Sequence, residues 1–504
     1  MLFTKDASFY AQEIRKGHVT CEYLVEKSLD NIDRFNPILN AVTVIEKERA
    51  IKRAKEMDRA FKDMTKEEKI TLPSFYGVPI LLKDLGQNQA GSLSTSGARL
   101  TRNEVPKQND LFVSKIEAAG FVVVGRTNTP EFGFKNISDS ELHGVVASPL
   151  DLTRNPGGSS GGAAAALKAG LVPIVTASDG GGSIRIPASF TGLIGLKPSR
   201  GRMPVGPNGY RGWQGASVNF ALTKSVRDTF KLLKSLQVEQ LEAPFSLPII
   251  QQEELTHPKR PLKIAFTLNS PIHNPVSHEA QAAVNQAVDY LKELGHQLVE
   301  VEPEVDGVKA MESYYKMNGV ETAAMMKRIE QTLERPLNLE DMELMSWALY
   351  RSGLSITGVD FTEVLSYWDD LTATSEQFFD RQQIDLLLMP TTNNIAPLQE
   401  EFHLSQEVKE QLASINDLEP NQQQRIIWKM FEKSLAYTPF TQQQNLTGQP
   451  AISLPMFETK DNMPIGVQLS ARKGHELMLL EIALQLEEAK ALRTNIVPVS
   501  PSSA

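Results

Sequence analysis

Two serines and a lysine in a glycine-rich part of the sequence are of the types that nucleophilic catalysis needs. Ser159 lies inside the glycine-rich block 157–162, and Ser183 follows 24 residues later. Lys83 stands upstream, directly after the apolar run 78–82. A serine hydroxyl becomes a strong nucleophile only when another group removes its proton. A buried lysine can do this, because burial favours its neutral form.

The glycines before Ser183 meet a second requirement of acyl transfer. The backbone N–H groups of Gly180, Gly181, Gly182 and Ser183 can converge on the oxyanion that forms when a serine attacks a carbonyl. Residues 157–201 hold 11 of the 32 glycines of the chain in 45 positions. This density predicts tight turns or close backbone approach.

Two other interpretations compete with a serine–lysine hydrolase. A phosphate-binding loop would need a Gly-Lys-Ser/Thr sequence, but Ala163 follows Gly162. The elbow of an α/β-hydrolase matches the GxSxG spacing around Ser159 or Ser160, but it requires a strand directly before it. Residues 148–156 are polar and contain proline, which disfavours that strand. The available histidines have no context that suggests a base: His257, His273, His278, His296, His403 and His475.

Short apolar runs and helical patterns alternate around these residues. The runs 78–82, 121–124 and 171–176 predict strands, and the patterns at 110–119 and 162–168 predict helices. Strands that alternate with helices indicate an α/β fold with a largely internal sheet. Elsewhere we expect helices at 7–16, 20–32, 45–64, 277–294, 308–383, 403–436 and 476–490, and strands at 262–267, 297–301, 385–389, 451–454 and 465–469.

Composition excludes several classes of protein. The chain has 504 residues with a net charge of −9, so no basic excess favours nucleic-acid binding. A single cysteine, Cys21, excludes an intrachain disulfide and a multi-cysteine metal site. Residues 1–6 lack the apolar core of a signal peptide, and the most apolar stretch, 161–177, is interrupted by Lys168 and Pro173. We therefore expect a cytoplasmic protein without a membrane span.

Together these motifs resemble the amidase signature family. The resemblance is dense over residues 70–205 and thinner at 385–392, Pro439, 445–450 and 464–468. The matching segments are Gly77-Val78-Pro79 with Lys83-Asp84, Gly125-Arg126-Thr127-Asn128 with Glu131-Phe132, the block 157–162, the block 179–187, and Gly192-Leu193-Ile194-Gly195-Leu196-Lys197-Pro198.

The resemblance implies a fold and a domain organisation. The fold is α/β, with a large central mixed β-sheet covered by α-helices on both faces. One amidase domain is expected over residues 1–504. Its parts are a helical segment at 1–65, a signature core at 70–205, a variable and largely helical pocket region at 300–440, and a closing sheet and helix at 441–495.

The resemblance also implies an activity, hydrolysis of a small carboxamide through an acyl-enzyme. In that scheme Ser183 is the nucleophile, Ser159 the bridging serine and Lys83 the base. A cis peptide at Gly158–Ser159 aims the Ser159 hydroxyl, and the N–H groups of residues 180–183 hold the oxyanion. No metal or cofactor is implied, the partner is a small-molecule amide rather than a nucleic acid or membrane, and a homodimer is the candidate assembly.

Three further residues have supporting roles in this scheme. Ser160 and Asp179 are expected to fix the loops by hydrogen bonds, and Arg185 to pair with an acid of the scaffold rather than with a substrate carboxylate. Thr176 or Ser178 would fix Lys83.

The block Asp179-Gly180-Gly181-Gly182-Ser183 is similar to the branch that contains hydrolases of cyclic aminohexanoate oligomers. Gly180 replaces the larger residue common in the family, so a more open pocket wall is expected there. The alternatives are a glutaminase component of a tRNA-dependent amidotransferase and a binding protein on an inactive scaffold. Four aromatic residues of the 300–440 region are expected in the core rather than at the substrate: Tyr314, Tyr315, Trp347 and Trp368.

Overall fold

The apolar runs of the sequence form β-strands. The structure, a computed structural model, describes residues 2–302 and 305–497. The strands are β1 (Val42–Ile45), β2 (Pro79–Lys83), β3 (Val122–Thr127), β4 (Asp139–Ser140), β5 (Gly144–Val145), β6 (Val175–Asp179), β7 (Ile194–Lys197), β8 (Val218–Thr223), β9 (Lys263–Phe266), β10 (Gln297–Glu300), β11 (Leu386–Pro390), β12 (Ala451–Glu458) and β13 (Pro464–Ser470).

Most of these strands belong to one mixed sheet. In the described part of the chain the sheet has eleven strands, in the order β1-β3-β2-β6-β8-β7-β12-β13-β11-β9-β10, and β4 and β5 form a separate hairpin. Strand β2 pairs in parallel with β3 and with β6. Parallel strands end at the same edge of a sheet, so the last residues of β2 and β6, Lys83 and Asp179, meet at one edge.

Helices flank the sheet, as the sequence predicted. They are α1 (Ala7–Arg15), α2 (Cys21–Leu39), α3 (Lys47–Asp63), α4 (Lys66–Ile70), α5 (Leu111–Ala118), α6 (Gly161–Lys168), α7 (Arg185–Thr191), α8 (Val226–Leu236), α9 (His278–Glu293), α10 (Gly307–Leu333), α11 (Leu344–Gly353), α12 (Gly358–Gln382), α13 (Gln406–Ala413), α14 (Pro420–Tyr437), α15 (Gln443–Thr447) and α16 (Glu476–Glu488).

Two predicted elements have different bounds in the structure. The helix expected from residue 45 begins at Lys47, and Ile45 belongs to β1, which pairs with β3. The Asn36 side chain donates to the Val42 carbonyl and accepts from the Val42 N–H. These two bonds fix the chain where it enters β1. The strand expected at 171–176 starts only at Val175, where pairing with β8 begins. In both cases pairing between distant strands decides the boundary.

The helices α10 to α14 lie within residues 307–437, and we call these five helices the helical layer. Strand β11, in the same range, belongs to the central sheet. The two long helices of the layer, α10 and α12, are joined by α11. Gly353 of α11 lies against Gly319 of α10 where these two helices cross. A Cβ atom on Gly353 would lie 1.9 Å from the Gly319 carbonyl oxygen, so only glycine permits this approach. The layer has an apolar core of its own, which includes Met326, Tyr350 and Ile427.

Candidate active site

Lys83 occupies the carboxyl end of β2, where the sheet hides it completely from solvent. Its Nζ donates to Ser159 Oγ at 2.7 Å and to Ser178 Oγ at 3.0 Å. Thr176 bonds the Lys83 backbone N–H rather than its side chain. Burial lowers the pKa of Lys83 to about 7, although the negative charge of Asp179 acts in the opposite direction. A substantial share of the amine is therefore neutral near pH 7, and it touches a serine hydroxyl.

Ser159 reaches Lys83 from the turn that leads into α6. The Gly158–Ser159 peptide is cis, as the resemblance implies. No larger residue fits in place of Gly158, since a Cβ there would lie 2.5 Å from the Ile137 carbonyl oxygen. Asn155 holds the turn from inside, accepting from the N–H groups of Ser138 and Gly157. The segment before the turn, at 148–156, forms turns and isolated bridges, unlike the strand before an α/β-hydrolase elbow.

Ser160 contacts the neighbouring strand instead of the lysine. Its hydroxyl donates to the Ser178 carbonyl at 3.3 Å and accepts from the Ser178 N–H at 3.4 Å. These two bonds tie the turn to the last residues of β6. Ser160 therefore holds in place the strand segment whose Ser178 side chain binds Lys83.

Asp179 and Arg185 form a fully buried ion pair beneath the glycines. The Nε and Nη2 atoms of Arg185 each lie 2.9 Å from a carboxylate oxygen of Asp179. Burial alone would raise the pKa of Asp179, but the charge and hydrogen bonds of Arg185 hold it well below its usual range. Arg185 also donates to Gln444, Asn445 and Gln468. All of these partners are side chains of the protein, so the guanidinium serves the scaffold.

One of the four expected oxyanion donors is already in use. The Gly182 N–H donates to Asp179 Oδ1 at 2.7 Å, which differs from the expectation that it faces the substrate. In the described residues, the N–H groups of Gly180, Gly181 and Ser183 have no hydrogen-bond partner. Three of the four expected N–H groups thus remain without a partner in the described residues.

Ser183 lines a cavity of about 1190 Å³ together with Ser159 and Ser178. The cavity is lined by both polar and apolar side chains. Polar lining residues include Asn88, Asp110, Asn208, Ser217 and Asn219. Apolar lining residues include Phe132, Phe134, Met311, Met325, Ile329 and Phe431.

The aromatic residues of the helical layer divide between this cavity and the core. Tyr314 and Tyr315 both line the cavity, and Tyr315 is also buried in the apolar core of the layer, as expected. Trp347 and Trp368 are buried in apolar clusters of the layer, as expected. The sequence does not separate the pairs, since all four lie in similar helical patterns.

The cavity wall at Gly180 is open, as expected. A Cβ atom on Gly180 would lie 3.7 Å from the Ser217 side chain, so this wall has room for one methyl group.

The contact of Thr441 with the glycine loop was not predicted. Thr441 donates to the Gly181 carbonyl at 2.7 Å, and Tyr314 donates to the Gly180 carbonyl at 3.0 Å. Thr441 comes from far along the chain and carries no local motif. The weak resemblance at Pro439 was the one signal that pointed toward Thr441.

The described residues contain neither a cluster of metal ligands nor a helix that could span a membrane. Over residues 2–302 and 305–497, no group of three or more His, Cys, Asp or Glu side chains could hold a metal ion. In the same residues, no helix is both long enough and apolar enough to span a membrane.

The chain is similar to known proteins along most of its length. A sequence model of the Amidase family matches residues 23–480. A lipoamidase of Enterococcus faecalis is 39% identical over 476 residues, which cover 94% of this chain and 62% of the lipoamidase. The chain therefore spans less than two thirds of the length of that relative.

A second relative matches from end to end. The 6-aminohexanoate-cyclic-dimer hydrolase of Paenarthrobacter ureafaciens is 32% identical over 495 residues, which cover 96% of this chain and 94% of the hydrolase. A solved structure of a 6-aminohexanoate cyclic dimer hydrolase complexed with substrate superposes with a TM-score of 0.87 at 30% identity, covering 98% of this chain and 99% of the other.

The chain belongs to the amidase signature family, whose members hydrolyse amide bonds. Within the family it lies in the branch that contains the 6-aminohexanoate-cyclic-dimer hydrolases. Both findings confirm the resemblance drawn from the sequence, and they confirm the α/β fold with its mixed central sheet.

Proposed function

We propose that the protein hydrolyses a small-molecule carboxamide through an acyl-enzyme on Ser183, with Ser159 as proton relay and Lys83 as base. The observation that carries this proposal is the Lys83 contact. Its Nζ lies 2.7 Å from Ser159 Oγ in a fully buried place, where the pKa falls to about 7. A base with such a pKa is matched to proton transfer near neutral pH.

The reaction begins with proton transfer. The proton of Ser183 passes to Ser159 Oγ, whose own proton passes to the neutral Lys83 Nζ. Ser183 Oγ then forms a bond to the amide carbonyl carbon. As the tetrahedral intermediate collapses, the C–N bond breaks, and the proton on Lys83 returns through Ser159 to the leaving nitrogen. Water hydrolyses the resulting ester by the same relay, which restores the Ser183 hydroxyl.

The oxyanion rests on backbone donors. Gly180, Gly181 and Ser183 offer N–H groups that no other group in the described residues uses. Gly182 acts indirectly, because its bond to Asp179 holds the loop in shape. Fixed donors of this kind stabilise a developing negative charge without any reorganisation during the reaction.

The cavity indicates which amides fit. Its lining of both polar and apolar side chains suits a small-molecule amide that carries polar and apolar groups, in linear or cyclic form. The names of the relatives, lipoamidase and 6-aminohexanoate-cyclic-dimer hydrolase, support amides other than those of peptide chains. A role as the glutaminase component of an amidotransferase has less support, since the solved glutamyl-tRNA(Gln) amidotransferase structure is only 23% identical.

The test is the intact mass of the protein after incubation with a small fluorophosphonate. We expect one covalent adduct on the wild type and none on Ser183→Ala. The variant Ser366→Ala, which changes an exposed serine of α12, should keep the single adduct. An adduct on Ser183→Ala, or a folded wild type that remains unlabelled, would contradict the proposal.

A further inference from the structure

The carbonyl oxygens of the glycine loop are all anchored. Those of residues 179–182 accept, in chain order, from Asn445 Nδ2 at 3.0 Å, the Tyr314 hydroxyl at 3.0 Å, the Thr441 hydroxyl at 2.7 Å and the Ile186 N–H at 2.7 Å. Each carbonyl shares its peptide unit with the next N–H group. Anchoring the oxygens therefore fixes the directions of the N–H groups, including the three that have no partner within the described residues.

The anchor on Gly180 stands apart, because it comes from the helical layer. Tyr314 belongs to α10 and lines the cavity, and burial of its hydroxyl raises the pKa of the phenol far above its usual range. A phenol in this setting stays protonated and remains a donor. Its acceptor, the Gly180 carbonyl, belongs to the peptide that carries the Gly181 N–H.

A carbonyl that accepts a hydrogen bond makes the N–H of its own peptide a better donor. Since a trans peptide holds its C=O and N–H antiparallel, the Gly181 N–H points away from Tyr314. We infer that Tyr314 is a positioning residue for the oxyanion donor at Gly181.

This inference rests on the proposed acyl-enzyme at Ser183 and adds to it a link between the two regions of the site. The helix that shapes the substrate cavity also orients and polarises a donor to the reacting oxygen. A change on α10 should therefore alter the chemical step and not only substrate affinity.

The test compares two tyrosines. Tyr314→Phe keeps the ring and removes the hydroxyl. Tyr76→Phe is the matched control, because the buried Tyr76 hydroxyl donates to the Met57 carbonyl at 2.8 Å, outside the site. We measure the second-order rate of labelling by a small fluorophosphonate, whose phosphoryl oxygen takes the oxyanion position, together with the thermal midpoint, and kcat and KM on a hydrolysed amide.

We expect Tyr314→Phe to be labelled about tenfold more slowly, with a similar fall in kcat and a KM within about twofold of the wild-type value. Tyr76→Phe should be labelled at the wild-type rate. Labelling of folded Tyr314→Phe at the wild-type rate would overturn the inference while leaving the proposed function intact. A rise in KM with unchanged kcat and an unchanged labelling rate would also overturn the inference, since that result is expected of a residue that only binds substrate.

Two further outcomes are informative. A folded wild type that is not labelled would overturn the proposed function and this inference with it. If Tyr314→Phe does not fold, Tyr314→Met also removes the hydroxyl and should be labelled about tenfold more slowly. Labelling of folded Tyr314→Met at the wild-type rate would then overturn the inference.

Discussion

The loops that hold Ser159 and Ser183 differ from the helical layer in how their side chains are held. In the loops, polar groups are fixed by polar partners, and the fully buried pair of Asp179 and Arg185 is the clearest case. In the helical layer, apolar packing dominates, as where the Tyr315 ring stacks on Phe431 with ring centres 4.7 Å apart. The loops therefore hold the proposed catalytic groups, and the layer supplies part of the lining of the cavity.

The largest effect should follow from removing the base in the loop region. We expect Lys83→Met to lower kcat by about 10³-fold, because Ser159 then has no proton acceptor. Lys168→Met is the matched control, since Lys168 is also buried and burial also lowers its pKa, to about 8. Its Nζ contacts the Gly192 carbonyl and no serine. Steady-state kinetics on a hydrolysed amide compares the two variants. Near-equal activities of the two variants would show that Lys83 contributes no more to the reaction than a buried lysine outside the site.

The second effect concerns stability. Asp179→Asn leaves the Arg185 charge buried without its counterion, so we expect a loss of about 3–5 kcal/mol in the free energy of unfolding. Chemical denaturation monitored by circular dichroism measures this loss. Asp380→Asn is the control, because its pair with Arg472 lies at the surface, and it should leave the denaturation midpoint nearly unchanged. Equal losses would remove the distinction between buried and exposed pairs.

A smaller effect is expected in the helical layer. Met325 of α10 is one of the apolar side chains that line the cavity, and Met325→Ala removes most of that side chain. We expect KM to rise about tenfold for amides with a bulky apolar acyl group, with kcat little changed. Acetamide-sized substrates should show no difference. A fall in kcat for all substrates, measured in the same assay, would place this residue with the chemistry instead.

The smallest effect should follow from filling the open wall at Gly180. A Cβ there would meet Ser217 at 3.7 Å, an ordinary contact distance. We expect Gly180→Ala to change the labelling rate by less than about threefold, since the backbone need not move. Gly182→Ala is the contrast, because its Cβ would lie 2.3 Å from Thr441 Oγ1 at a positive φ of 125°. Equal labelling rates for both variants would show that the loop is more adaptable than its packing indicates.

The same two regions differ in how far the sequence revealed them. The motifs around Lys83, Ser159 and Ser183 are local, and strand periodicity placed Lys83 at the end of a buried strand. The use of the Gly182 N–H by Asp179 could not be foreseen, because it depends on the three-dimensional turn of the loop. The roles of Tyr314 and Thr441 rest on contacts between residues more than 130 positions apart. No local pattern encodes such contacts.

The fold was predicted well where single elements have strong patterns, and less well where pairing decides. Most helices and strands lie within a few residues of their predicted bounds, including α9 with its cap at Ser277. The strand β1 was missed because its last residue, Ile45, continues the apolar pattern of the following helix, and pairing with β3 overrides that pattern. The single-domain organisation over 1–504 stays a prediction.

The central claim is that a neutral Lys83 activates Ser183, and the pH dependence of labelling tests it most directly. With a pKa of about 7, acid protonates Lys83 and removes the proton acceptor. The second-order labelling rate should therefore rise about tenfold per pH unit below pH 7 and level off above it. Burial also raises the pKa of Glu131 to about 7, so the same profile must persist in Glu131→Gln. A labelling rate that stays constant between pH 5 and 9, or a profile that disappears in Glu131→Gln, would contradict the claim.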